Sequence, residues 1–311
     1  MKLFGNLEKA ADESRKFFIK NCIGFDTPRL ADTVYPEGVR VESDLPYAEG
    51  KALPPALAPD AVSEGYDLCC SDRTMDIYTP DDAKEKEIYL LIHGGAFVYG
   101  CKELDKEFGM YLALRSKTAV ANINYRLMPR TDLSGVLTDI FYAISYLCEK
   151  GYTTFHTTGD SAGGYLCHLT AILLHSKKAR EDFGITDFPY EVTCKSTSPI
   201  CGAFLNSPKQ FAGIYFDPEK KLPECIYNLF DATEKYGCPP ILLTTGDQDM
   251  MEKQNVLLHE KLTGIGFPVT YYCAKSTEDR PMHHVYAIAH PTWPEGIKTI
   301  ELTIENATRK D

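Results

Sequence analysis

The chain has 311 residues, 44% of them hydrophobic and 25% charged, with a formal net charge of −11. This is the balance of a globular protein that buries a full core, and it excludes a disordered chain. The acidity and the lack of any basic run argue against nucleic acid as a partner, because binding a phosphate backbone relies on clustered Lys and Arg.

The amino terminus offers Leu3, Leu7, Ala10, Ala11, Phe17 and Phe18 at mostly helical spacing, then a Pro-rich stretch with Pro46, Pro54, Pro55 and Pro59. A peripheral helix followed by an irregular arm is expected over residues 1–65. No apolar run there has signal-peptide length, and no later segment approaches the roughly 20 apolar residues of a membrane span. A cytoplasmic protein is therefore expected, and its eleven cysteines are expected to be reduced thiols. No CxxC pair suggests zinc, and neither a metal nor a cofactor is implied.

From residue 66 to 311 the pattern is that of one larger domain. Short β-rich runs come first: GYDLCC, TMDIYTP and IYLLIHGG. A helix near Leu104–Arg115, the strand TAVANIN and a helix with Leu133, Val136, Leu137, Ile140, Ile144 and Leu147 on one face follow. Next are the strand YTTFHTTG, a helix from Ala162, the strands EVTCKST, ILLTTG and PVTYYC, and a last helix near Gly296–Thr308. Strands alternating with helices predict an α/β fold: a mostly parallel central sheet covered on both faces, with its crevice at the carboxyl ends of the strands. Scattered Pro and aromatic residues from about 200 to 238 break this rhythm. That stretch reads as an insertion which, with the amino-terminal arm, forms a small cap.

Gly159-Asp160-Ser161-Ala162-Gly163-Gly164 is a G-x-S-x-G turn with a strand pattern before it and a helix pattern after it, the context of a nucleophile elbow. Its flanking glycines admit a tight turn that presents the Ser161 hydroxyl at the positive end of a helix. His93-Gly94-Gly95-Ala96-Phe97 follows the strand IYLLI, where backbone N–H donors for an oxyanion are needed. Gly94 and Gly95, with the N–H of Ala162, are the predicted oxyanion hole, each donor contributing roughly 3 to 4 kcal/mol in the transition state. His93 is read as a residue that holds this loop by hydrogen bonding.

Serine needs a base to take its proton, and the base needs an acid to fix its tautomer; on a G-x-S-x-G turn the chain order is Ser, acid, His. The strand ILLTTG leads into Gly246-Asp247-Gln248-Asp249. Asp249 is the predicted acid, since it lies beyond the turn and can point back, while Asp247 is expected to cap the helix that starts near Met250. The base should follow the last strand, where His283 and His284 are equivalent on chemistry alone. His156 lies inside a strand, His168, His175 and His259 lie on helices, and His290 lies farther along a loop.

These segments together resemble the hormone-sensitive-lipase-like branch of the α/β-hydrolases, which includes microbial carboxylesterases related to acetyl-ester hydrolases. The resemblance spans about residues 66 to 306. It rests on HGGAF at His93, NINYRLMP over 122–129, GDSAGG at Gly159, Gly-x-x-Asp ending at Asp249 and His-Val-Tyr beginning at His284. It implies that His284 is the base, that Tyr125 and Arg126 border the site structurally, and that the substrate is a small-molecule, short-acyl ester. Ala96 departs from the pattern, since many relatives have a third glycine there. Two other readings share these residues: a serine peptidase, and an inactive hydrolase fold serving as a small-molecule receptor.

Overall fold

The computed structural model describes residues 2–51, 68–209 and 213–309. It opens with a long helix α1 (Lys2–Ala31), then β1 (Val39–Pro46), β2 (Thr74–Pro80), β3 (Glu87–Ile92), α2 (Lys102–Ser116), β4 (Ala119–Ile123), α3 (Leu133–Glu149) and β5 (Thr154–Asp160). The second half runs α4 (Ser161–His175), α5 (Lys177–Asp182), β6 (Thr193–Ile200), α6 (Leu229–Tyr236), β7 (Ile241–Gly246), α7 (Glu252–Gly264), β8 (Val269–Ala274), α8 (Tyr286–Ala289) and α9 (Pro294–Thr308).

The eight strands form one sheet in the order β1-β2-β4-β3-β5-β6-β7-β8. Pairings from β4 through β8 are parallel, while β1–β2 and β2–β4 are antiparallel. The two faces are read off β3 with period two. Ile88, Leu90 and Ile92 enter the core beneath α3, α4 and α6, and Tyr89 and Leu91 enter the core beneath α2, α8 and α9. Both faces of the inner strands are covered, so β4 and β7 are apolar or hydroxyl-bearing and buried along their whole length, apart from Asn122 and Gly246.

Two expectations for the amino-terminal third are corrected. The arm is not irregular throughout, because Val39–Pro46 adds an antiparallel edge strand with a register shift between Glu42 and Leu45. Val39 and Val41 alternate with Arg40 and Glu42 for only four residues before that shift, too short a run to mark a strand. In GYDLCC the described residues 68–70 form no strand, only an isolated bridge between Cys69 and Gly100. Pro54, Pro55, Pro59 and residues 65–67 lie outside the described residues. Among the described residues of 200–238 the chain forms two short 3₁₀ turns, Gly213–Tyr215 and Glu224–Tyr227, and then α6.

The NINYRLMP segment leaves β4 as a frame under the loop that follows β3. Asn122 Nδ2 donates to the Lys102 carbonyl at 2.6 Å, and the Lys102 N–H donates to Asn124 Oδ1 at 2.7 Å, which seats the start of α2. Arg126 Nε and Nη2 grip the buried Asp139 of α3 at 2.7 and 2.9 Å. Asp139→Ala leaves that guanidinium buried without its partner, so a loss of about 3–5 kcal/mol is expected in urea unfolding, with the m-value unchanged.

Candidate active site

β5 runs into α4 with no intervening residue: Asp160 ends the strand and Ser161 begins the helix. The reversal gives Ser161 a φ of 52°, a left-handed conformation that costs a residue with a Cβ on the order of 1–3 kcal/mol. Two residues on, a Cβ on Gly163 would collide with the Ile92 carbonyl oxygen, so only glycine lets α4 start this close to β3. Ser161 sits at the carboxyl edge of the sheet and is 9% exposed.

His284 and Asp249 converge on this serine. His284 Nε2 lies 2.9 Å from Ser161 Oγ, and His284 Nδ1 lies 2.6 Å from Asp249 Oδ1. Asp249 stands in the turn after β7, where its Oδ2 accepts from Thr245 Oγ1 at 2.6 Å and its Oδ1 accepts from the Met251 N–H at 2.9 Å. Burial alone would raise this carboxyl. The bond from His284, its charge and the Thr245 and Met251 donors outweigh that and hold it below the ordinary carboxylate range. An ionised Asp249 makes His284 Nδ1 the donor and leaves the Nε2 lone pair facing the serine hydroxyl.

The neighbouring candidates have other surroundings. Asp247 does not cap α7, which starts at Glu252 with no side-chain cap. It accepts from the N–H and hydroxyl of Ser276 at 3.0 and 2.5 Å, tying the end of β8 to the β7 turn. His283 is exposed. Of the other histidines, His156 Nδ1 lies 2.8 Å from Ser196 Oγ and His168 Nε2 lies 2.8 Å from Thr233 Oγ1. Burial lowers these imidazoles to about 4 and about 3.

The loop after β3 requires a correction to the predicted oxyanion donors. The Gly94 N–H donates to Asp160 Oδ1 at 2.8 Å, so it is already committed. The next two amides, Gly95 and Ala96, donate to no protein acceptor among the described residues. Gly95, Ala96 and Phe97 have φ of 103°, 50° and 65°, and this run of positive values turns the peptide planes within the loop. The Ala162 N–H lies in the first turn of α4, where no intrahelical acceptor exists. Replacing a third glycine by Ala96 therefore retains a backbone donor at that position.

His93 holds this loop from within. Its Nδ1–H donates to the Gly94 carbonyl at 2.8 Å, its ring stacks on Tyr125 at 4.4 Å, and the Tyr125 hydroxyl donates to its carbonyl at 3.0 Å. Full burial pushes the imidazole down to about 4, so it is neutral at pH 7. Cys201 is a further neighbour that the sequence pattern does not single out. Its buried thiol accepts from the Val285 N–H at 3.4 Å and gathers with Asp249 and His284 within 4.8 Å. That trio could ligate a metal only by breaking the His284–Asp249 bond. A second donor trio, Cys70, Cys101 and Glu103, has its carboxylate engaged by Lys102 at 2.5 Å.

A profile of the α/β-hydrolase fold family matches residues 89–283, more than half of the chain. An acetyl-hydrolase of Streptomyces hygroscopicus is 25% identical over 229 residues, covering 68% of this chain and 72% of that protein. The crystal structure of an inhibited esterase B from Lactobacillus rhamnosis superposes with a TM-score of 0.78 at 24% identity, covering 96% of each chain. An esterase of the bacterial hormone-sensitive lipase family superposes with a TM-score of 0.67 at 17% identity, over 96% of this chain and 90% of that one. With the strand–serine–helix junction and the order of the sheet, these likenesses establish that the chain belongs to the α/β-hydrolase fold family.

Proposed function

We propose that this protein is a serine carboxylesterase acting on small, short-acyl esters. The observation that carries the proposal is the chain of contacts from Ser161 Oγ through His284 to Asp249, at 2.9 and 2.6 Å. In the first step Ser161 Oγ attacks the ester carbonyl while His284 Nε2 takes its proton. The tetrahedral oxyanion is stabilised by the N–H groups of Gly95, Ala96 and Ala162. Collapse breaks the bond to the alcohol oxygen, which leaves with the proton from His284. Water then enters with His284 as base, the acyl–oxygen bond to Ser161 breaks, and the carboxylic acid departs.

A short acyl group is supported by what borders the loop. Phe97, next to Ala96, packs at 5.4 Å on Tyr165, one turn along α4 from Ser161, and at 4.8 Å on Phe216 of the insertion. All three rings are buried, and Phe97 joins the loop to α4. The name of the acetyl-hydrolase relative points the same way. We read α1 and the 200–238 insertion as the cap over this site. The Tyr165 hydroxyl donating to the Ile226 carbonyl at 2.7 Å supports that reading for the insertion, and the Tyr99 hydroxyl donating to Asp26 at 3.0 Å supports it for α1. A cytoplasmic setting fits eleven cysteines that are all unpaired; among the described residues no helix is long and apolar enough to cross a membrane.

Hydrolysis of p-nitrophenyl acetate, butyrate and octanoate tests the reading. Turnover of the two short esters is expected, with kcat/KM for octanoate lower by about tenfold or more. A preference for octanoate would overturn the short-acyl assignment. Binding of esters without hydrolysis would overturn the enzyme and favour a receptor.

A further inference from the structure

Two thiols face each other where the loop after β3 ends. Cys69 and Gly100 form a parallel bridge: the Gly100 N–H donates to the Leu68 carbonyl at 3.1 Å, and the Cys70 N–H donates to the Gly100 carbonyl at 3.2 Å. One step on, that register sets Cys70 beside Cys101, whose backbone is extended. Backbones paired in this way lie roughly 5 Å apart, within the span that a disulfide bridges. The two sulfurs and a carboxylate oxygen of Glu103 all lie within 4.8 Å of one another. Both chains are also tied to one side chain: Asn124 Nδ2 donates to Asp72 Oδ1 at 3.0 Å, and Asn124 Oδ1 accepts from the Lys102 N–H at 2.7 Å.

We propose that Cys70 and Cys101 are a redox-active pair that a peroxide converts to a disulfide, latching the end of the loop after β3 to the segment before β2. Cys70 is half-buried and reacts first, whereas Cys101 is 1% exposed and resolves. The Cys70 thiolate attacks one oxygen of hydrogen peroxide, the O–O bond breaks, and the released hydroxide takes up the Cys70 proton as water. The Cys101 sulfur then attacks the Cys70 sulfenic acid, and its proton leaves with the second hydroxide as water. Two thiols are oxidised and one peroxide is reduced. The order of reaction agrees with the ionisation of the pair. Cys101 holds the Cys70 thiol below the ordinary range, while Cys70 and burial push the Cys101 thiol up.

The surroundings favour a disulfide over a metal ion. Glu103 is paired with Lys102 Nζ at 2.5 Å, and the same ammonium is held by Asp44 and Asp76 at 2.8 and 3.0 Å. A metal bound by the trio would face that cation, whereas a disulfide carries no charge and leaves the ion pairs in place. Cys69, adjacent in sequence, is buried at the bridge itself, and neighbouring residues of an extended chain point to opposite sides.

Peptide mapping and thermal unfolding test the latch. One equivalent of hydrogen peroxide is expected to join the peptide bearing Cys70 to the peptide bearing Cys101, with fragmentation placing the bond on Cys70. The closed ring of about 30 residues restricts the unfolded chain, so Tm should rise by about 5 °C and return to its starting value in dithiothreitol. Cys70→Ser should abolish both the cross-link and the Tm gain, and Cys69→Ser should keep both. With both partner segments already held by Asn124, kcat for p-nitrophenyl acetate should stay within about twofold of the reduced protein. No cross-link, a cross-link through Cys69, a Tm unchanged by peroxide, or a Tm gain that survives in Cys70→Ser would each overturn the proposal. A fall in kcat of about tenfold or more in the cross-linked protein would overturn it as well, since the loop would then have moved. The kcat readout rests on the esterase reading; if the parent shows no Ser161-dependent hydrolysis, that reading fails by itself and the cross-link and Tm still decide the proposal.

Discussion

Ser161→Ala is expected to lower kcat for p-nitrophenyl acetate by about 10⁴- to 10⁶-fold, leaving only the background from oxyanion donors and binding. The loss is this large because nothing nearby can replace the nucleophile. Cys201, whose thiol lies close to Asp249 and His284, is fully buried at the end of β6. Burial and the neighbouring Asp249 charge raise its pKa well above that of an ordinary thiol, so a thiolate is not at hand. Alanine keeps the Cβ and the φ of 52° that the strand–helix junction imposes, so the Tm should move little. A large fall in Tm alongside the loss of activity would mean that the hydroxyl supports the turn instead of reacting.

The second large effect is expected at Asp249. Asp249→Ala removes the partner of His284 Nδ1 and the acceptor of both Thr245 Oγ1 and the Met251 N–H. The imidazole then loses its fixed tautomer and the charge that stabilises its protonated form, and kcat should fall by about 10⁴-fold. Because the folded-state carboxyl is held below its ordinary value, its contribution to stability is present above about pH 4 and is lost as pH falls through the lowered pKa. Asp247→Ala is the matched control. It unties Ser276 and should leave kcat near that of the parent, whereas a loss equal to that of Asp249→Ala would exchange the two assignments.

The parts of this molecule that were legible in the sequence are those whose signal is local. β3, β4, β5 and β7 are short apolar or β-branched runs closed by turn residues, and α3 shows its buried stripe at helical spacing. Ser161 stands out because the glycines around it and the change of period from strand to helix occur within a few residues. β1 was not legible, since its alternation lasts only over Val39–Glu42 before a register shift interrupts it, and Val39 and Val41 are only partly buried. The choice between Asp247 and Asp249 could be argued from turn geometry, but the partner of Asp247 is Ser276, on a different strand connection.

The loop after β3 marks the limit more sharply. The sequence locates a Gly-rich loop after β3, yet which amides are free depends on where Asp160 points, and Asp160 belongs to β5. Gly94 is a glycine because the Asp160 carboxylate crowds it. Ala96 tolerates a methyl group at a φ of 50° while its amide has no protein acceptor among the described residues.

The most direct test of the account is covalent capture. A p-nitrophenyl alkylphosphonate presents a tetrahedral phosphorus to the nucleophile and releases p-nitrophenol when the serine–phosphorus bond forms. One equivalent of p-nitrophenol per chain is predicted, with inactivation in step and the phosphonyl mass on the peptide containing Ser161. Full ester hydrolysis persisting after complete reaction, or the adduct found on a residue other than Ser161, would contradict it.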